Sequence, residues 1–200
     1  MEMPTLTDTA TKSSVHIDDP LAALKLGWEI TGRLQELVVG RDRPIVLLGV
    51  GTDRSTGDCL GPLVGSRLAA LRQRLFAVYG TLDEPVHAGN LREKISDIYR
   101  RFHNPFIIAV DACLGQAESI GYINIGNGAL KPGAGVHKNL PPVGHLHITG
   151  VVNVGGFMEY VILQNTRLNL VMRMADVIVE GLAMAVRCLN NSSNKTQGSA

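Results

Sequence analysis

Apolar residues along this chain follow two kinds of pattern. Short unbroken runs, PIVLLGV at 44–50 and PFIIAV at 105–110, alternate with longer stretches where apolar positions recur every three or four residues. A short unbroken run bounded by turn formers predicts a strand buried on both faces, as in a parallel sheet. Asp18-Asp19-Pro20 opens the first periodic stretch, which places Leu21, Leu24, Trp28, Leu34 and Leu37 on one face. Asp before Pro is a helix start, and Gly40 is the expected stop. A second helix is predicted from Pro62, carrying Leu63, Val64, Leu68, Leu71 and Leu75, and a third from Leu91 to Arg101. Two more are predicted near the end, over 157–164 and 168–189, the last with Val171, Ala175, Ile178, Leu182 and Val186 at helical spacing. Shorter apolar segments at 76–79, 121–125 and 147–154 predict further strands. The segment 126–144 is rich in Gly, Pro and Asn, and a loop of that length is usually functional or mobile.

Strands alternating with helices predict an α/β domain, a three-layer α/β/α sandwich with a mainly parallel sheet. The chain has 200 residues, enough for one sizeable core. The expected division is a disordered tail over 1–17, a single α/β domain over 18–189 and a second disordered tail over 190–200. In such folds the chemistry gathers at the carboxyl ends of the strands. The loops after the two strongest runs begin at Gly51 and Asp111, with Asp111 expected to end its strand.

Composition removes several classes. The formal net charge is +1 with 18% charged residues, which argues against both a basic nucleic-acid arm and a charged disordered chain. No aromatic residues interleave the arginines as a nucleic-acid surface would require. No apolar run is long enough to span a bilayer, and residues 1–14 lack an apolar signal core. The three cysteines match no zinc spacing and suit reduced thiols of a cytoplasmic protein.

The first strand-end loop reads GTDRSTGDCLGP over 51–62. It fails the dinucleotide fingerprint, because Arg54 stands where the third Gly belongs, and it fails a Walker loop, because Asp58 follows Gly57. Ser55 lacks the glycine two residues upstream that a nucleophile elbow needs. Acid is what remains. If the two buried strands are neighbours, Asp58 and Asp111 converge at one sheet edge. Two close carboxylates share a proton, hold a cation, or divide into acid and base. The competing readings are structural: Asp58 as the cap of the helix near Pro62, Asp53 stabilising its own turn, Asp111 satisfying loop N–H groups. His145 and His147 alternate at a strand start, so His147 could complete a metal site with the aspartates, or the pair could be ordinary surface or hydrogen-bonded histidines. His137 lies in the long loop.

GTDRSTGDCLGP, the strand end VDACLG at 110–115, TGVVNVGGFMEY at 149–160 and LQNTRL at 163–168 together resemble the YyaC family of sporulation proteins. The resemblance covers about Ile45 to Leu189. It implies a spore-forming bacterium and a protease assignment whose substrate is not established, acting in the cytoplasm of the forespore or mother cell. A more distant similarity to the germination protease and the hydrogenase maturation endopeptidases implies a phosphorylase/hydrolase-like fold. It implies peptidase aspartates at Asp58, before Cys59-Leu60-Gly61-Pro62, and at Asp111, before Ala112. In the maturation enzymes comparable acidic residues and a histidine bind nickel of the substrate. The expected function is hydrolysis of a peptide bond in a protein or peptide, such as a spore protein, by Asp58 and Asp111. Asp53 and Asn153 are expected either to position substrate or to support the site from behind. No cofactor is required on this reading; nickel or zinc is the metal that Asp58, Asp111 and His147 would hold in a metal-dependent variant. The alternative is a non-catalytic sporulation protein that binds peptide or metal at the same place. A homodimer is expected from the high apolar content, with no nucleic-acid or membrane partner.

Overall fold

The two unbroken apolar runs pair with each other at the centre of the sheet. A computed structural model describes residues 13–38, 43–132 and 140–197, with side chains described to residue 191. The strands are β1 (Ser13–His16), β2 (Ile45–Gly49), β3 (Phe76–Tyr79), β4 (Phe106–Gly115), β5 (Tyr122–Asn127) and β6 (Leu146–Val154). The helices are α1 (Ala22–Leu37), α2 (Leu60–Ala70), α3 (Leu91–Arg101), α4 (Glu159–Gln164) and α5 (Leu168–Gln197). The sheet order is β1-β5-β6-β4-β2-β3. β2 pairs in parallel with β3 and β4, and β4 in parallel with β6, while β5 and β1 join antiparallel. Every residue of β2 is buried, as its unbroken pattern requires.

Helices cover both faces, which makes the three layers. Leu26, Ile30 and Leu34 of α1, Leu60, Val64 and Leu68 of α2, and Ile178 and Leu182 of α5 pack on one face with Leu47, Ile108 and Ile148. Leu91 and Ile98 of α3 pack on the other with Val46, Leu48, Ile107 and Ala109. The alternation of Val46, Leu47 and Leu48 between the two clusters is the two-residue period of a strand. Asp19 opens α1 as its position before Pro20 suggests, its Oδ1 accepting the Leu21 N–H at 2.8 Å. The expected stop at Gly40, and His137, lie outside the described residues.

Four boundaries differ from the expectation. The N-terminal tail expected over 1–17 is not a tail from Ser13 onward, because Ser13–His16 add to β5 as an edge strand. Ser13 Oγ donates to Glu29 at 3.0 Å, and the buried Arg33 reaches both Ser13 and Asn127 across α1, β1 and β5. The C-terminal tail expected from 190 is helical to Gln197, since extending a formed helix costs far less than nucleating one. α2 begins at Leu60, after a single 3-10 turn over Gly57–Cys59, rather than at Pro62. Strand β4 does not end at Asp111 but runs on to Gly115, because β6 continues alongside it. The segment 126–144 holds a bridge between Leu130 and Val143, so it is not wholly a loop. Among the described residues no helix is long and apolar enough to cross a membrane.

Candidate functional site

β2 stops at Gly49, while its neighbour β4 continues for five residues past Val110, the partner of Gly49. The chain leaving β2 must therefore turn over the open flank of β4. It does so through the glycine-rich loop, which closes on itself by hydrogen bonds from Thr52 N to Asp58 O and from Asp58 N to Ser55 O, both 3.1 Å. α2 then starts hard against the strand ends. A Cβ on Gly61 would lie 2.2 Å from Val50 O and 2.8 Å from Val110 O, so only glycine lets the helix approach this closely. This approach brings the Asp58 turn beside Asp111, the residue after Val110.

Asp111 is 5% exposed. Its Oδ1 accepts the Ala112 N–H at 2.8 Å. Burial pushes its carboxyl well above the ordinary carboxylate range; the negative charge of Asp58 adds to the shift, and the Ala112 hydrogen bond opposes it. Asp58 is half-buried in the 3-10 turn. Cys59 follows it, buried, with Sγ donating to Thr56 O at 2.9 Å. Burial raises the Cys59 thiol, and the charges of Asp58 and Asp53 raise it further. As the N-cap residue of α2, Cys59 supplies no side-chain cap, so that helix start is not closed in the usual way.

Two residues of this loop region were not assigned a role from sequence. Ser55 is buried, and its Oγ has no hydrogen-bond partner among the described residues. A buried hydroxyl left unpaired costs about 1–3 kcal/mol, which is the kind of group a substrate or water can satisfy. Thr166 is buried between α4 and α5. Its Oγ1 donates to Ile162 O at 2.9 Å and would be 2.9 Å from a Cβ on Gly57, so the α4–α5 corner props the residue before Asp58. Local spacing carries no sign of that contact, because 109 positions separate Gly57 from Thr166.

The other expected site residues are placed elsewhere. Asn153 engages its amide within the protein, behind the loop: Nδ2 donates to Ile162 O at 3.4 Å and to Thr166 Oγ1 at 3.3 Å, and Oδ1 accepts the Val154 N–H at 2.9 Å. Asp53 is exposed at the loop tip and, with Thr52, Arg54, Glu84, His87 and Lys94, lines a separate polar cleft of about 380 Å³. His147 does not join the aspartates. It pairs with Ala109, two residues before Asp111 along β4, and its Nδ1 lies 3.1 Å from Gly128 O. Among the described residues no group of three His, Cys, Asp or Glu side chains is placed to hold a metal ion. The donor set thus does not fit the expected Asp58–Asp111–His147 metal centre. His145 stacks on Phe106 at 5.2 Å near the opposite end of β4, and its Nδ1 accepts the Ile107 N–H at 3.0 Å. Burial, then the Arg43 charge, lowers its pKa, which suits a neutral packing histidine.

Comparison with known proteins agrees with this architecture. The profile of a family described as "Protein of unknown function (DUF1256)" matches residues 14–181. The chain is 62% identical over 176 residues to the uncharacterized protein YyaC of Bacillus subtilis (strain 168), covering 88% of this chain and 84% of that protein. That bears out the family resemblance carried by the four segments. Among solved structures it is similar to a NiFe hydrogenase maturation protease, HycI, from Thermococcus kodakarensis KOD1. The TM-score is 0.50 at 20% identity, covering 77% of this chain and 98% of that one. At that identity the likeness establishes the α/β fold and nothing finer.

Proposed function

The chain belongs to the family described as "Protein of unknown function (DUF1256)", and from its site we propose that it is a hydrolase that cuts a peptide bond with Asp58 and Asp111. The observation that carries this reading is the placement of a buried carboxyl, Asp111, beside the turn that carries the half-buried Asp58 at the ends of the central strands. Asp111 is buried and Asp58 only half-buried, and in that asymmetry burial and the Asp58 charge both favour the protonated, hydrogen-bond-donating form of Asp111.

The roles follow from that asymmetry. Asp58 takes a proton from a water molecule as the water oxygen attacks the scissile carbonyl carbon. The Asp111 proton moves to the carbonyl oxygen as negative charge develops there. When the intermediate collapses, the C–N bond breaks, the leaving amine takes the proton from Asp58, and Asp111 recovers its own. Ser55 Oγ is a spare donor in the same loop. Thr166 and Asn153 are positioning residues that hold the loop from behind. The fold shared with a maturation protease is compatible with this chemistry, and the sporulation family resemblance points to a protein or peptide of a spore-forming cell as substrate.

The test is cleavage of a spore-protein extract or a peptide mixture, followed by mass spectrometry, with wild type, Asp58→Asn and Asp111→Asn. New termini with wild type alone support the hydrolase. No cleavage by any form, with peptide still retained, favours the non-catalytic binding protein. Equal cleavage by all three removes both aspartates from the mechanism.

A further inference from the structure

The second helical layer covers only part of the sheet. α3 packs over β2 and β4, while farther along the same face the strands β4, β6, β5 and β1 floor a trough of about 620 Å³ that no α-helix residue lines. The sheet register sets out its floor. Asp111 pairs with Thr149, Thr149 with Asn124, and Asn124 with Ser14. Residues paired in this way point to the same face, so the row leads from Asp111 across four strands, about 14 Å at the usual strand spacing. Ser14, Asn124 and Thr149 all line the trough, and none of these three side chains has a hydrogen bond to the protein among the described residues. Glu118, on the turn after β4, is exposed and is the only charged residue lining the trough among those described.

We propose that this trough docks the chain to be cut: an extended peptide whose backbone crosses the Ser14–Asn124–Thr149 row toward Asp111 and which sets a lysine or arginine side chain against Glu118. The assignment rests on the hydrolase reading for what happens at Asp111, but the docking site stands on its own geometry. Serine, asparagine and threonine offer both donors and acceptors, which is what peptide N–H and C=O groups need. The charge selects the side chain. Glu118 lies in the trough, with no lysine or arginine along the described lining, so a cationic residue is attracted and an acidic one repelled. The volume falls in the range of ligand clefts.

The experiment uses three fluorescein-labelled dodecapeptides of Gly, Ala and Ser with a central Arg, Gln or Glu. Their binding to the full chain is followed by fluorescence anisotropy, with Asp58→Asn preventing turnover. The Arg peptide is expected to bind about two- to fivefold more tightly than the others, the scale of one exposed ion pair. Glu118→Gln is expected to erase the preference and Glu118→Lys to reverse it, and Asn124→Leu to weaken all three peptides. Both Glu118 variants change an exposed side chain, so folding is not at stake. An unchanged Arg preference in Glu118→Lys, or no binding of any peptide, overturns the proposal. A dimer in sedimentation velocity that Asn124→Arg splits puts a second copy of the chain on this face and also overturns it. Arg-selective binding without cleavage by wild type overturns the hydrolase reading and leaves the docking site. Equal cleavage of all three peptides does the reverse.

Discussion

The Asn153 amide donates to the Thr166 hydroxyl at 3.3 Å, and Thr166 stands against Gly57, the residue before Asp58. The last strand and the α4–α5 corner are thereby joined behind the loop that carries one of the two site carboxylates. Thr166→Val keeps the shape and removes the hydroxyl's bonds. We expect it to cost about 1 kcal/mol in urea denaturation. If the loop is catalytic, kcat falls while KM holds, and Thr166→Ser recovers most of the loss. Equal loss in the Val and Ser variants would limit Thr166 to packing.

Asp111 carries a stability cost that its proposed role explains. Its folded pKa lies above the unfolded value, so between the two the native state holds a proton that the unfolded state has lost. Stability then falls as pH rises through that window, by about 1.4 kcal/mol per pH unit. Asp111→Asn removes the titration. We expect a higher Tm than wild type at pH 7, a shrinking difference toward pH 4, and no cleavage at any pH. A lower Tm at pH 7 would mean that the carboxyl makes a contact the amide cannot replace.

Asp58 contributes to the Asp111 shift through its charge. In Asp58→Asn the Asp111 carboxyl should titrate at lower pH while remaining above the ordinary range, since burial is the larger cause. Carboxyl carbon chemical shifts followed by NMR across pH measure this. An unchanged Asp111 midpoint would place the two groups too far apart to act together.

Gly61 decides how closely α2 approaches the strand ends. A methyl there would overlap Val50 O, which belongs to the backbone and cannot swing away. Gly61→Ala is expected to lower stability by about 1–3 kcal/mol in denaturant, despite alanine's better helix propensity. A neutral or stabilising result would show that α2 can slide outward.

The core and the order of elements were legible in the chain. Unbroken runs such as 45–49 follow from burial on both faces, and the 3.6-residue stripe of α5 follows from burial on one. Such patterns are local consequences of periodicity, so sequence exposes them. Asp58 and Asp111 were legible as candidates for the same reason, because strand ends can be found from strands. Three features were not. The strand at Ser13–His16 is polar on its own and exists because β5 offers it an edge. β4 outruns Asp111 because β6 runs beside it. Which of its two expected places Asn153 takes is set by its hydrogen bond to Thr166. The first two depend on strands far away in the chain, and the third on how the α4–α5 corner folds back. Pairing, burial and the shared field of two carboxylates arise only when the layers close, and so the tertiary structure alone assigns them.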